Sequence, residues 1–145
     1  MGAPRRLYQE LGHITATWAE IEQHLLLTRS ALTSKPYGGI PTGDLRERFT
    51  RLRKAWLNDL RKNYPKEKVD KIFQPINMRL AKLAIIRGDL IHGTWSVRRS
   101  GVYVWSLWEQ RGKLVHKTKE YTLIELNSIL TDMKTLLYDI DAACR

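Results

Sequence analysis

The stretch LAKLAIIRGDLIHGTW, residues 80–95, sets a permanent cation and an imidazole into a run whose pattern asks for leucine. Leu80, Leu83, Arg87 and Leu90 follow a three–four–three spacing. On a helix this points the arginine at a helix–helix seam rather than at bulk water. An unpaired charge there costs several kcal/mol, so Arg87 needs a carboxylate, a water-filled cleft or a phosphate. Its guanidinium stays charged and offers a planar fork of donors that fits a phosphate. His92 carries a group with an unperturbed pKa of about 6.5, able to take or give a proton near neutrality. Together the two could cleave RNA without a metal. The imidazole would move the proton at the 2′-hydroxyl or at the leaving 5′-oxygen, and the guanidinium would stabilise charge on the phosphorane. The same residues also fit a structural pairing, with Arg87 in a buried ion pair and His92 capping helix-end carbonyls. The R-x4-H spacing is short enough to arise by chance. Five residues correspond to about 140° around an ideal helix, so the side chains diverge unless the helix end is distorted. Gly88 and Gly93 make such distortion cheap.

Long amphipathic elements must position this pair. Leu7, Leu11, Ile14, Trp18, Ile21, Leu25 and Leu32 form one stripe of a long first helix, ending before the loop at Pro36, Gly38, Gly39, Pro41 and Gly43. A second helix is expected from about Thr42 to Asn63, with Leu45, Phe49, Leu52, Trp56 and Leu60 inward. A third follows Pro65, with Val69, Ile72, Ile76, Leu80, Leu83, Arg87 and Leu90 on its stripe, a bend or restart at Pro75 and a stop at Gly93. The period then changes. Val102 to Glu109 and Lys113 to Tyr121 predict a β-hairpin with Gly112 in its turn. The last helix opens on a capping box, Thr122 with Glu125, and carries Leu126, Ile129, Met133, Leu136, Leu137 and Ile140 inward. The expected fold is mainly α: a four-to-five-helix bundle with a β-hairpin inserted before the last helix, forming one domain over residues 1–145.

The net charge of +10 favours a polyanionic partner, with nucleic acid first among them. One cysteine, Cys144, allows no internal disulfide and fits a reducing cytosol. No apolar run approaches a membrane span, and the N-terminal residues lack the apolar core of a signal peptide, so a cytoplasmic protein with no membrane partner is expected. Histidines and carboxylates show no ligand spacing, so no metal and no cofactor are expected.

The ending RGDLIHG on a late helix, in a small, basic, mostly helical chain, resembles the HEPN superfamily (higher eukaryotes and prokaryotes nucleotide-binding domains). Those domains carry an R-x4–6-H motif near the end of a late bundle helix. The resemblance covers the helical frame before the hairpin and the last helix. It implies a HEPN-like bundle that dimerises, bringing two R-x4-H motifs into one interface cleft. It further implies metal-independent endoribonuclease activity in a toxin–antitoxin or phage-defence setting, with a protein antitoxin or regulatory partner. The alternative it allows is a catalytically inactive module that binds nucleic acid or protein. Members often place a polar residue, commonly asparagine, directly after the arginine. Here Gly88 stands there and Asp89 comes one later, so either Asp89 takes the orienting role or catalysis is weakened. One toxin branch has a modifiable tyrosine two residues after the histidine, where this chain has Thr94.

Arg87, His92 and Asp89 are therefore the catalytic candidates, with Glu22, Glu20 and Thr94 in support and Glu22 the expected partner of Arg87. Arg46, Arg53, Lys54, Arg98, Arg99 and Lys117 are the candidate RNA-binding cations. Tyr103, Trp105 and Trp108 could stack on single-stranded RNA or serve as the hairpin's own packing surface.

Overall fold

A computed structural model of the chain describes residues 2–33, 49–110 and 114–144, with side chains from residue 5 onward except those of residues 108–110. The chain is mainly helical. α1 spans Gly2–Thr33 and α2 spans Phe49–Asn63. α3 runs without interruption through Lys66–Lys68, a π turn at Val69–Phe73 and Gln74–His92. Three strands follow, β1 (Thr94–Val97), β2 (Tyr103–Gln110) and β3 (Leu114–Tyr121), then α4 (Leu123–Ala143). The expected glycine–proline loop, Leu45 and Arg46 of the second helix, and the Gly112 turn lie outside the described residues.

Side-chain pairs give the helix directions. Trp18 packs on Phe49 and Arg29 bonds Asp59, so α1 and α2 run parallel. Arg53 bonds Asn77 and Trp56 meets Phe73 edge-on at 6.0 Å, so α3 runs back along α2. The C-terminal ends of α1, α2 and α4 converge on one cavity lined by Leu32, Tyr64 and Cys144 among others. α3 is therefore the antiparallel member, and its end lies beside the N-terminal half of α1. The core threads all four helices, with Ile14, Trp18, Ile21, Trp56, Leu60, Phe73, Leu80, Met133 and Leu136 almost fully enclosed.

The π turn is a consequence of Pro75. Proline has no N–H and crowds the carbonyl four residues back. One extra residue per turn relieves this: the Gln74 N–H reaches Val69 O, five residues back. The helix thus stays continuous and absorbs the proline in one wide turn, instead of bending or restarting there as the sequence leads one to expect. The same turn shifts the inward stripe, so Phe73 is buried while Ile72, the expected core residue, is 41% exposed.

The expected hairpin is a three-stranded antiparallel meander in the order β1-β2-β3. β1 was not foreseen, because four residues next to the polar run Arg98–Arg99–Ser100 carry little periodic signal. Its link to β2 closes with Gly101 N–H on Arg98 O and Arg98 N–H on Val102 O, both at 2.9 Å. Gly101 has φ 83°, a left-handed conformation that glycine adopts at little cost. Trp95 pairs with Trp105 and Tyr103 with Tyr121, placing these four rings on one face. That face covers the end of the bundle, and Tyr103, Trp105 and Tyr121 are buried. Entry into α4 is capped as expected: the Thr122 hydroxyl accepts from Glu125 N–H at 3.1 Å and lies 3.2 Å from Glu125 Oε1.

Candidate functional site

Arg87 sits on the inward stripe of α3 between the buried Leu83 and Leu90 and is itself partly buried. Its Nε atom is enclosed and has no hydrogen-bond partner among the described residues. No ion pair ties its guanidinium among them either. Two other arginines in the interior differ: Arg29 Nε donates to Asp59 Oδ2 at 2.9 Å, and Arg53 Nη1 donates to Asn77 Oδ1 at 2.7 Å. Arg53, expected to face RNA, is thereby committed to the packing between α2 and α3.

The expected Glu22–Arg87 pair does not form. The cross-helix contacts Trp18–Phe49 and Arg53–Asn77 place Glu22 level with Asn77. That is about 15 Å along the helix axis from Arg87 at about 1.5 Å per residue. Glu20 is exposed. The same register brings the first half of α1 level with Arg87, and there Glu10 has an enclosed Oε2 without a partner among the described residues. Glu10 lies three residues past Leu7 and four before Ile14, both fully buried. Its place on the apolar stripe was the available signal.

His92 is the last helical residue and is exposed. α3 stays helical to its end, so His92 keeps the roughly 140° offset from Arg87. It shares the outer face with the exposed Met78, Ile85 and Asp89. Within one chain, Arg87 and His92 therefore leave different sides of α3. Gly88 has open space around its Cβ direction.

The carbonyls at the end of α3 are not capped by His92, as a structural pairing would have it. Trp105 Nε1 donates to Asp89 O at 2.5 Å, and Trp95 Nε1 donates to Leu90 O at 3.1 Å. Gly93 is extended (φ −87°, ψ 169°), so handedness does not demand a glycine. Space does: a Cβ there would run into the Trp105 indole. Thr94 opens β1 and donates to Ser106 O at 3.3 Å.

The cationic candidates separate in kind. Lys54 and Arg99 are exposed, and Lys117 is exposed on β3. Arg98 pairs with Glu120 at 2.8 Å. Tyr103 and Trp105 are packing residues, not stacking platforms. The Trp108 side chain lies outside the described set. Among the described residues no three His, Cys, Asp or Glu side chains gather to hold a metal, and no helix is long and apolar enough to cross a membrane.

At the opposite end of the bundle, His24, Thr28, Tyr64, Asp141 and Cys144 line a cavity of about 390 Å³. Burial pushes the Cys144 thiol above its ordinary pKa, against a smaller lowering by its hydrogen bond with Thr28. A thiol so shifted is a poor nucleophile.

No protein-family model, curated protein or solved structure matches this chain.

Proposed function

We propose that this chain is a HEPN-like, metal-independent endoribonuclease that acts as a homodimer, with Arg87 and His92 as its working residues. The observation that carries the reading is the Arg87 guanidinium, held on an apolar stripe with an enclosed, unpartnered Nε. A permanent cation so placed is costly unless an anion meets it; a phosphodiester is the anion its fork fits best, and the enclosed Glu10 carboxylate on α1 is the acid within the chain that competes for it. The +10 charge draws RNA toward the protein. His92, exposed at the helix end, takes the 2′-hydroxyl proton. The 2′-oxygen attacks phosphorus, the bond to the 5′-oxygen breaks, and that oxygen leaves with a proton. The products are a 2′,3′-cyclic phosphate and a 5′-hydroxyl. Arg87 balances the charge on the phosphorane. Because the two groups diverge on one helix, a second copy brings its imidazole to the cleft. A toxin or defence role with a protein antitoxin belongs to the same reading.

Incubation of the pure protein with structured and unstructured RNA in EDTA tests it. Wild type is expected to cut and His92→Ala to lose about two or more orders of magnitude in rate. Equal cleavage by the two ends the enzyme reading. The roughly 140° offset, together with Gly88, favours a second reading, a non-catalytic nucleic-acid-binding module. Salt-dependent RNA affinity without turnover would select that module.

A further inference from the structure

We infer that Trp105 is a positioning residue for His92: the sheet, through its indole, sets where the last turn of α3 ends and therefore where the imidazole is presented. The inference rests on the ribonuclease reading above only for its kinetic consequence.

The geometry converges on one turn. Asp89 O accepts from Gly93 N–H at 3.3 Å and from the Trp105 indole at 2.5 Å. Leu90 O accepts from the Trp95 indole at 3.1 Å. The sheet thus adds a second donor to Asp89 O and claims Leu90 O, a carbonyl that a helix C-terminus usually leaves to water. The Trp105 ring also fills the volume a side chain at residue 93 would need. His92 is the residue between these anchors, after Asp89 and Leu90 and directly before Gly93. Its own side chain is exposed, so its position follows from the backbone under it. Trp105 pairs with Trp95 in the β1–β2 ladder and with Lys119 in the β2–β3 ladder, so one residue ties the whole sheet to the helix end. A short helix terminus frays unless held. Here it is held from the side, by residues distant in sequence, and the glycine exists to let the ring in.

The test is Trp105→Phe in the full chain, which keeps an aromatic ring and removes the donor. The primary readout is the His92 imidazole resonance in a ¹H–¹³C spectrum of the RNA-free protein, assigned by its loss in His92→Gln. Trp56→Phe is the control: that indole is more deeply buried, has no hydrogen-bond partner among the described residues and packs on Phe73 away from the site. Expected is a displaced or broadened His92 resonance in Trp105→Phe and an unchanged one in Trp56→Phe. With RNA, kcat should fall about tenfold or more in Trp105→Phe while KM holds, the pattern of a displaced group. An unmoved His92 resonance in Trp105→Phe, or an equal displacement in Trp56→Phe, overturns the inference. If Trp105→Phe does not fold, Trp95→Phe, which removes the donor to Leu90 O from a less buried ring, must displace the resonance for the inference to stand. A wild type that cuts no RNA ends the ribonuclease reading alone, since the resonance answers the positioning claim without substrate.

Discussion

Two regions of the same interior treat arginine in opposite ways. On α1 and α2, Arg29 and Arg53 are partly buried with named partners, Asp59 and Asn77. Near the end of α3, Arg87 occupies an apolar stripe with an enclosed Nε that has no partner among the described residues. A folded chain satisfies its buried donors where stability alone is at issue. Arg29 and Arg53 therefore belong to the fold. Arg87 has no such partner among the described residues, which is what singles it out, rather than the surface lysines, as the candidate site residue.

The comparison breaks most sharply in stability. Arg29→Met leaves Asp59, its side chain only 12% exposed, as a buried carboxylate without its cation. It should cost about 3 kcal/mol or more in urea unfolding. Arg87→Met breaks no ion pair among the described residues and should be within about 1 kcal/mol of wild type, or more stable. Equal losses at the two positions would mean that Arg87 has a structural partner after all, and the phosphate argument would fall with it.

The two glycines bracketing the motif give the next largest contrast. Gly93→Ala drives a methyl into the Trp105 ring and should destabilise by about 1–3 kcal/mol. Gly88→Ala meets open space on a helix and should stabilise by about 1 kcal/mol in thermal unfolding. If both behave alike, the tryptophan does not hold the helix end as described.

The smallest effect concerns the far end of the bundle. The thiolate is the species that alkylates, and the Cys144 pKa lies above its ordinary value through burial. At pH 8 the folded protein should react with iodoacetamide more slowly than the same protein in urea, and the gap should narrow as pH rises. Fast alkylation of the folded chain would make that cavity, rather than the end of α3, the more reactive region.

Much of the frame was legible in residue spacing. Four helices at the expected places, the capping box at Thr122 and the inward aim of Arg87 all follow from periods of three and four and from side-chain chemistry. The strands of the hairpin also emerged, from a change of period near Val102. The misses have local physical causes. Ile72 departs from its expected core position because the spacing argument assumes an unbroken α-helix, and the π turn ahead of Pro75 shifts the face. β1 was missed because four residues beside a charged run have no period to count. The expected pairing of Glu22 with Arg87 fails because the helical wheel gives direction but not height along the axis.

The order of amphipathic elements, the basic charge and the placing of a cation on an apolar face were thus settled by the sequence itself, since each depends on neighbours within a few residues. Which acid lies level with that cation, which carbonyls the tryptophans cap and why residue 93 is glycine were decided only by tertiary structure. Those contacts join α1 to α3 and the sheet to the end of α3, and no local pattern encodes the register in which distant elements meet.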